Sequence, residues 1–195
     1  MAKSDPAASK RERNKTIRWV VTIFFVTIVV SGLISLLSDL ILSVSGILVA
    51  FIILLGIILV GIVFDIIGVA VTSADEKPFH SMAARKVPGA QDAIKLLRNA
   101  ERVSSICNDV VGDICGVISG SASATIAAQV LQHVDFGWPA VVSLVMSALV
   151  AGLTVGGKAL GKTVAMNSCT QIVSAVGQLI HLLHHPADAF KKKKK

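Results

Sequence analysis

Charge is scarce in this chain, and two long stretches contain none at all. Only 16% of the residues are Asp, Glu, Lys or Arg, whereas 53% are hydrophobic, and the mean hydropathy is +0.74. No charged residue occurs in residues 19–37 or in residues 40–64. A helix of about 20 apolar residues crosses a hydrocarbon core of about 30 Å. The composition therefore argues against a soluble domain and predicts a membrane protein.

The chain also lacks the residue groupings on which many enzymes, zinc sites and redox centres depend. No CxxC spacing joins its three cysteines, which we interpret as small packing residues. No nucleophile–base pair or metal-hydrolase motif is present, so the sequence predicts no enzymatic activity. The histidines near the C-terminus are interpreted as the polar end of a helix rather than as a metal site. The cysteines are Cys107, Cys115 and Cys169, and the histidines are His181, His184 and His185.

Four apolar segments predict an all-α fold, a polytopic membrane protein with four transmembrane helices. The spans are expected at about residues 19–37, 46–72, 103–131 and 138–155. No convincing A-x-A-like cleavage site follows the first span, so we expect it to be retained rather than removed as a signal peptide. The last two spans are less apolar than the first two. Because the first half of the chain already indicates a membrane protein, we interpret them as spans as well.

The distribution of basic residues predicts the orientation of these spans. All 19 Lys and Arg precede span one, lie between spans two and three, or follow span four. By the positive-inside rule, both termini and the middle loop are expected in the cytoplasm, with the chain in the plasma membrane, the inner membrane of a bacterium. We thus interpret the net charge of +7 as the basic residues that orient the spans in the membrane, and no nucleic-acid partner is expected. Residues 191–195, all Lys, are expected either to attract anionic lipid or to be a solvated tail.

The segments outside the spans have distinct compositions. Residues 1–15 are basic and predict a disordered tail, which precedes a transmembrane domain over residues 16–157. Residues 74–101 predict short amphipathic juxtamembrane helices. Residues 158–186 predict an amphipathic helix that lies in the membrane interface or packs on a second subunit, and residues 187–195 a lysine-rich tail.

Ionisable residues inside spans are costly and therefore indicate functional sites. Asp65, Asp109 and Asp113 are expected at similar depth in the inner leaflet, and Asn108 adds a neutral oxygen beside them. Such oxygens suit a hard cation such as Mg²⁺ or Na⁺, so the three aspartates are candidate metal ligands and all four residues a candidate ion pathway. The alternative is a structural role, in which aspartate pairs with Lys158 as counter-ion to hold the helices together.

Two glycine patterns occur in the second half of the chain, one typical of helix packing and one of nucleotide binding. Gly112, Gly116 and Gly120 form a doubled G-x-x-x-G, which predicts close helix packing either within the subunit or at a homodimer seam. The sequence "GGKALGKT", Gly156 to Thr163, matches the phosphate-binding loop pattern. That loop needs a preceding strand and an α/β domain, whereas here it follows an apolar span, so no bound nucleotide is expected.

Between Gly61 and His184 the order of these elements resembles the transmembrane domain of the cyclin M and CorB/CorC magnesium-transporter family. "VFDIIGVAVTSADEKPFHSMA" is similar to the family's polar span end with its juxtamembrane helices, and "ICNDVVGDI" to its asparagine-bearing span. "GKALGKT" falls on the family's G-E-x-x-P-K-T motif. However, Lys158 stands where the family has a metal-coordinating glutamate, and Gly161 replaces the proline. The family's cytoplasmic nucleotide-sensing domains are not expected in these 195 residues, because too few lie outside the spans to form them.

The resemblance implies a homodimeric cation transporter, with Mg²⁺ as the expected ion. In that hypothesis Asp65, Asn108, Asp109 and Asp113 bind the ion or line its path, and Lys158 is an internal counter-ion. The rival hypothesis is a membrane protein that does not transport and uses these charges as structural ion pairs. The lysine favours the rival, whereas three aspartates at one depth favour transport.

Overall fold

The fold is known from a computed structural model, which describes residues 6–44, 46–133 and 138–184. Side chains are described from residue 16 onward, except residues 38, 39 and 41–44. The elements in chain order are α1 (Pro6–Val44), α2 (Ile47–Ser73), α3 (Lys77–Ala84), α4 (Ala90–Arg98), α5 (Ala100–Ser105), a π-helical segment (Ile106–Gly112), α6 (Asp113–His133), α7 (Pro139–Asn167) and α8 (Cys169–His184). The described part contains no strand.

Within the described residues, four helical stretches are long and apolar enough to cross a membrane, which confirms the predicted fold class. They cover Thr16–Leu37, Ile47–Ser73, Ala100–His133 and Pro139–Asn167. The third consists of α5, the π segment and α6 in direct succession. The predicted lysine-rich tail at residues 187–195 lies outside the described residues.

Helix α2 occupies the centre of the bundle. It contacts all three parts of the third span and also α7 and α8, whereas α1 lies against α6. Ala50, Leu54 and Ile58, four residues apart, place one face of α2 against Ile126 of α6 and Val150 of α7. Most other large side chains of the spans are exposed on the surface of the protomer, as a lipid-facing bundle requires.

A second core lies at the end of the bundle that carries α3, α4 and α8, here called the basic end. Phe79 of α3 is fully buried against Val71 of α2 and Val173 of α8. The backbones of α4 and α8 come very close, because a Cβ on Gly177 would lie 2.6 Å from the carbonyl oxygen of Gly89. This cluster fixes the predicted juxtamembrane helices to the ends of the spans.

Two boundaries differ from the sequence-based expectations. Helix α1 begins at Pro6, inside the segment predicted as a disordered tail. Proline fits the first turn of a helix, and the Ala, Lys, Arg and Glu residues after it favour helix. Helix α7 continues beyond Val155 to Asn167, so the amphipathic helix begins at Cys169 rather than at residue 158. Because no proline or capping group interrupts the chain there, the helix persists through its glycines.

The π-helical segment is a feature that the sequence pattern did not predict. It covers Ile106–Gly112, between α5 and α6, and therefore lies within the third span. A π turn has one more residue per hydrogen-bonded ring than an α turn, and such turns occur frequently at functional sites. The segment carries Asn108 and Asp109, two of the predicted site residues.

Candidate functional site

An ion pair joins α2 and α7 inside the bundle. The Lys158 Nζ lies 3.7 Å from the Asp65 Oδ1, and the two side chains are 27% and 17% exposed, respectively. Lysine and aspartate this far from water are stable as charges only when they are paired or hydrated. The predicted counter-ion role of Lys158 therefore has a geometric basis at Asp65.

Glycines on α7 position this pair. Gly157 and Gly161 flank Lys158, and a Cβ on either would meet the side chain of Ile62 or Ile66 on α2. The backbone of α7 can therefore lie directly against α2, as small residues permit in membrane helices. The lysine emerges between these two contacts and reaches the aspartate on the neighbouring helix.

The lysine side chain also extends to the third span. Its Nζ lies 3.3 Å from the position that a Cβ on Gly112 would occupy. Gly112 is buried and ends the π segment. The ammonium group of Lys158 thus lies where α2, α7 and the third span meet, and Gly112 leaves the space for it.

Asn108 carries an unsatisfied buried acceptor next to this junction. Its Nδ2 donates a hydrogen bond to the Ser104 Oγ at 3.2 Å, but within the described part of the chain its Oδ1 is buried without a hydrogen-bond partner. Asn108 precedes Gly112 by one turn and faces Gly68, which follows Asp65 by one turn. An orphaned buried carbonyl calls for an explanation, and a bound ion or water is one of the recognised ones.

The other two predicted ligands do not join this site. Asp109 and Asp113 are exposed on the surface of the protomer, and the Asp109 Oδ2 accepts a hydrogen bond from the Ser105 Oγ at 2.9 Å. Each follows in sequence a residue that faces the junction, and one residue rotates a helix by about 100°. Among the described residues, no three His, Cys, Asp or Glu side chains come together as a metal site. The three aspartates are thus not assembled, and their role as ion-pathway residues stays a prediction.

The three glycines of the third span separate into two groups. Gly112 packs beneath Lys158, as the prediction of packing within the subunit expects. A Cβ on Gly116 or Gly120 would meet no atom within 4 Å. These two glycines therefore make no close helix contact with the residues that the structure describes.

The phosphate-loop pattern lies entirely within α7. Gly156 to Thr163 are helical, so their backbone N–H groups lie in a regular helix instead of a loop. A phosphate-binding loop cradles its ligand with free N–H groups. Lys162 is exposed on the helix surface. That no nucleotide binds stays a prediction, and the geometry gives it a physical reason.

A polar contact at the basic end, which sequence patterns did not indicate, links α4 to α8. The Asp92 Oδ1 lies 2.9 Å from the Lys95 Nζ, and the Asp92 Oδ2 lies 3.4 Å from the His181 Nδ1. The hydrogen bond from Lys95, aided by His181, holds the pKa of Asp92 below its ordinary value despite partial burial. These groups border an open groove of about 820 Å³ between the two helices.

No protein-family model, curated protein or solved structure matches this chain. The likeness to the cyclin M and CorB/CorC family therefore rests on the motifs quoted above. The geometry of the Asp65–Asn108–Lys158 junction carries the functional argument that follows.

Proposed function

We propose that this multi-pass membrane protein binds a cation at the junction of Asp65, Asn108 and Lys158 and moves it across the membrane, with Mg²⁺ as the leading candidate. The observation that carries the proposal is the buried Asn108 Oδ1, which has no hydrogen-bond partner in the described part and lies one turn from the ion pair. A purely structural pair needs no such free acceptor. A site for a cation does, because hard cations take carboxylate and amide oxygens.

Lys158 has a defined part in this mechanism. Its ammonium group neutralises Asp65 when the site holds no other cation, which makes a charge at this depth tolerable. An arriving cation competes with the ammonium for the Asp65 carboxylate and gains the Asn108 oxygen as a second ligand. Mg²⁺ retains several waters when it binds to proteins, so one carboxylate and one amide form a sufficient protein contribution.

The orientation follows from the charges of the basic end. The basic residues between the second and third spans, or in the first turn of the third, are Lys77, Arg85, Lys86, Lys95, Arg98 and Arg102. By the positive-inside rule we place this end in the cytoplasm of a cell bounded by this membrane, as in a bacterium. Asp65 precedes the end of α2 at Ser73 by about 12 Å of helix, which puts the site in the inner leaflet.

Ion flux into proteoliposomes tests the proposal. Wild-type protein should admit Mg²⁺ to an internal indicator, and the double variant Asp65→Asn/Lys158→Met, which removes both charges, should lose this flux while remaining folded. Glu101→Gln, an exposed acid at the start of α5, is the matched control and should retain it. Asn108→Ala should lower the apparent affinity for Mg²⁺. Wild-type flux no faster than in protein-free liposomes would sink the transport proposal.

A second candidate function is favoured by the ion pair itself. Lys158 and Asp65 directly join α2 to α7, and the remaining aspartates do not gather around them. A membrane protein without transport activity would use the pair only to hold these helices together. Lys158→Glu separates the two candidates, because it adds a carboxylate beside Asp65. Increased divalent-cation binding by this variant supports a metal site, whereas loss of the fold without any gain in binding supports the structural role.

A further inference from the structure

The outer face of the third span, defined by Asp109, Asp113, Gly116, Gly120 and Ala124, is polar and small where lipid contact is expected. Within a helix these positions fall on one side. Asp109, Asp113, Gly120 and Ala124 are exposed, and the two glycines leave open space beside them. We infer that a second copy of this chain covers this face and that its Lys162 supplies the charge that balances the aspartates.

The depth of Asp109 and Asp113 in the membrane shows why these carboxylates need a polar neighbour. The guanidinium group of Arg102 lies 5.9 Å from the ring centre of Trp19, and arginine with tryptophan marks the membrane interface. Asp109 and Asp113 lie about 10 Å and 16 Å further along the helix. Since the hydrocarbon core is about 30 Å thick, Asp113 is near its middle. A carboxylate at that depth must face water, a cation or another protein surface rather than lipid.

The protomer does not meet this need from the residues described. No ion pair joins Asp109 or Asp113 to a basic side chain there, and Asp109 has only the hydroxyl group of Ser105. The ammonium group of Lys158 already forms an ion pair with Asp65. Water, a cation or another protein surface from outside the described protomer must therefore meet this need, and a protein surface with a matching cation would also cover the small residues beside the aspartates.

Lys162 is the matching cation. It lies one turn from Lys158 along α7, toward the basic end, and it is exposed. Because the Lys158 Nζ is level with Gly112, Lys162 is level with the turn that contains Asp109, and its side chain is long enough to approach Asp113. It forms no ion pair with either aspartate within the protomer. In a two-fold dimer each copy would offer its aspartates and its lysine to the other, so one contact would form twice.

The glycines complete the surface. A face with Gly116, Gly120 and Ala124 lets two membrane helices approach closely, which is how small-residue stripes associate. Packing alone would not choose the partner. The exposed opposite charges at one depth favour a second copy, because each copy presents both the aspartates and the lysine. This inference does not depend on transport, so the failure of either proposal leaves the other untouched.

Charge exchange tests the pairing in lipid vesicles, with subunit number measured by single-molecule photobleaching. Wild-type protein should be dimeric, and Asp113→Lys or Lys162→Asp should shift it to monomer by at least tenfold in the dimer dissociation constant. The double variant Asp113→Lys/Lys162→Asp should restore the dimer. Lys86→Asp, an exposed change at the basic end, is the control and should leave the dimer unchanged. A monomeric wild-type protein, or a dimer insensitive to both single changes, would overturn the inference.

A cysteine substitution provides a second test that preserves all charges. Gly120→Cys should form a disulfide-linked dimer on oxidation in vesicles, whereas Gly152→Cys, at an equally open position on α7, should not. Wild-type protein, which carries Cys107, Cys115 and Cys169, reports any crosslink through the native thiols. Crosslinking at residue 152 but not at residue 120 would place the contact elsewhere and contradict the proposed surface.

Discussion

The amide group of Asn108 occupies the space that a side chain at Gly68 would need. A Cβ built on Gly68 would overlap the asparagine amide, with its Cγ at 2.8 Å. The two residues come from the second and third spans, and both lie one turn from the Asp65–Lys158 junction. Glycine at this position therefore fixes both the approach of the helices and the location of the free Asn108 oxygen.

Gly68→Ala should destabilise the protein by about 1–3 kcal/mol, because the added methyl group forces the Asn108 amide or the helix to move. Thermal unfolding in detergent measures this loss. Gly56→Ala is the matched control on the same helix, since a Cβ there would meet no atom within 4 Å. Alanine at residue 56 should leave the stability unchanged or raise it slightly, because alanine is the better helix former. Equal effects of the two changes would contradict the packing described here.

The Asp65–Lys158 pair should behave as an energetically coupled unit. Lys158→Met leaves a half-buried carboxylate without its partner, and Asp65→Asn leaves the ammonium group alone, so each should cost about 1–3 kcal/mol of unfolding free energy. The double variant should cost clearly less than the sum, with a coupling of about 0.5–3 kcal/mol. A cycle of equilibrium unfolding measurements gives this value.

The pair of Asp92 and Lys95, whose lysine is exposed, serves as the reference for that cycle. Its atoms lie closer, at 2.9 Å, but the lysine side chain is 73% exposed, so its coupling should be only about 0.2–1 kcal/mol. Additive effects at Asp65 and Lys158 would mean that the observed proximity contributes nothing to the fold.

Sequence alone predicted the four spans because each is a long apolar run of consecutive residues, which can be recognised without knowing how the helices pack. Runs without charge mark the helices, and the second span matches Ile47–Ser73 within a residue or two. The end of the fourth span was missed because apolar residues give way to Gly and Lys after Val155, which resembles a helix end. The helix nevertheless continues to Asn167, because no proline or capping group interrupts it, and Lys158 forms its ion pair with Asp65 from inside the helix.

The site was predicted only in part, because the sequence does not show which side of a helix faces the bundle. Asp65 was identified because a charge inside an apolar span stands out in any sequence, and Lys158 because it lies at the inner end of the fourth span, within reach of an aspartate. Which of Asn108, Asp109 and Asp113 faces the bundle depends on steps of about 100° per residue and on the π segment, which changes the local turn. Gly68 gave no signal, because its importance lies in the Asn108 side chain that packs over it.

The close contact between α4 and α8 should be sensitive to a single methyl group. In Gly177→Ala the new Cβ would lie 2.6 Å from the carbonyl oxygen of Gly89 and 2.9 Å from the Cβ of Ala93. Backbone atoms move less readily than side chains, so α8 should separate from α4 at a cost of about 1–3 kcal/mol. Amide hydrogen exchange should become faster in α8 and stay unchanged in the spans. Gly156→Ala, in open space on α7, is the control, and equal acceleration in both variants would contradict the contact.

The same contact should weaken in acid, through Asp92. The hydrogen bond from Lys95 and the neighbouring His181 keep the pKa of this carboxyl group below its ordinary value. A group whose pKa is lowered by folding stabilises the folded state above its ordinary pKa of about 3.9, and this contribution disappears as the pH falls through the lowered value. Hydrogen exchange of α8 should therefore become faster below about pH 4, after correction for the intrinsic rate. Since the pair is near the surface, we expect a loss of only about 0.2–1 kcal/mol. Asp92→Asn should remove this acid-dependent step while the exchange of α2 stays the same, and an unchanged acid response in that variant would assign the step to another group.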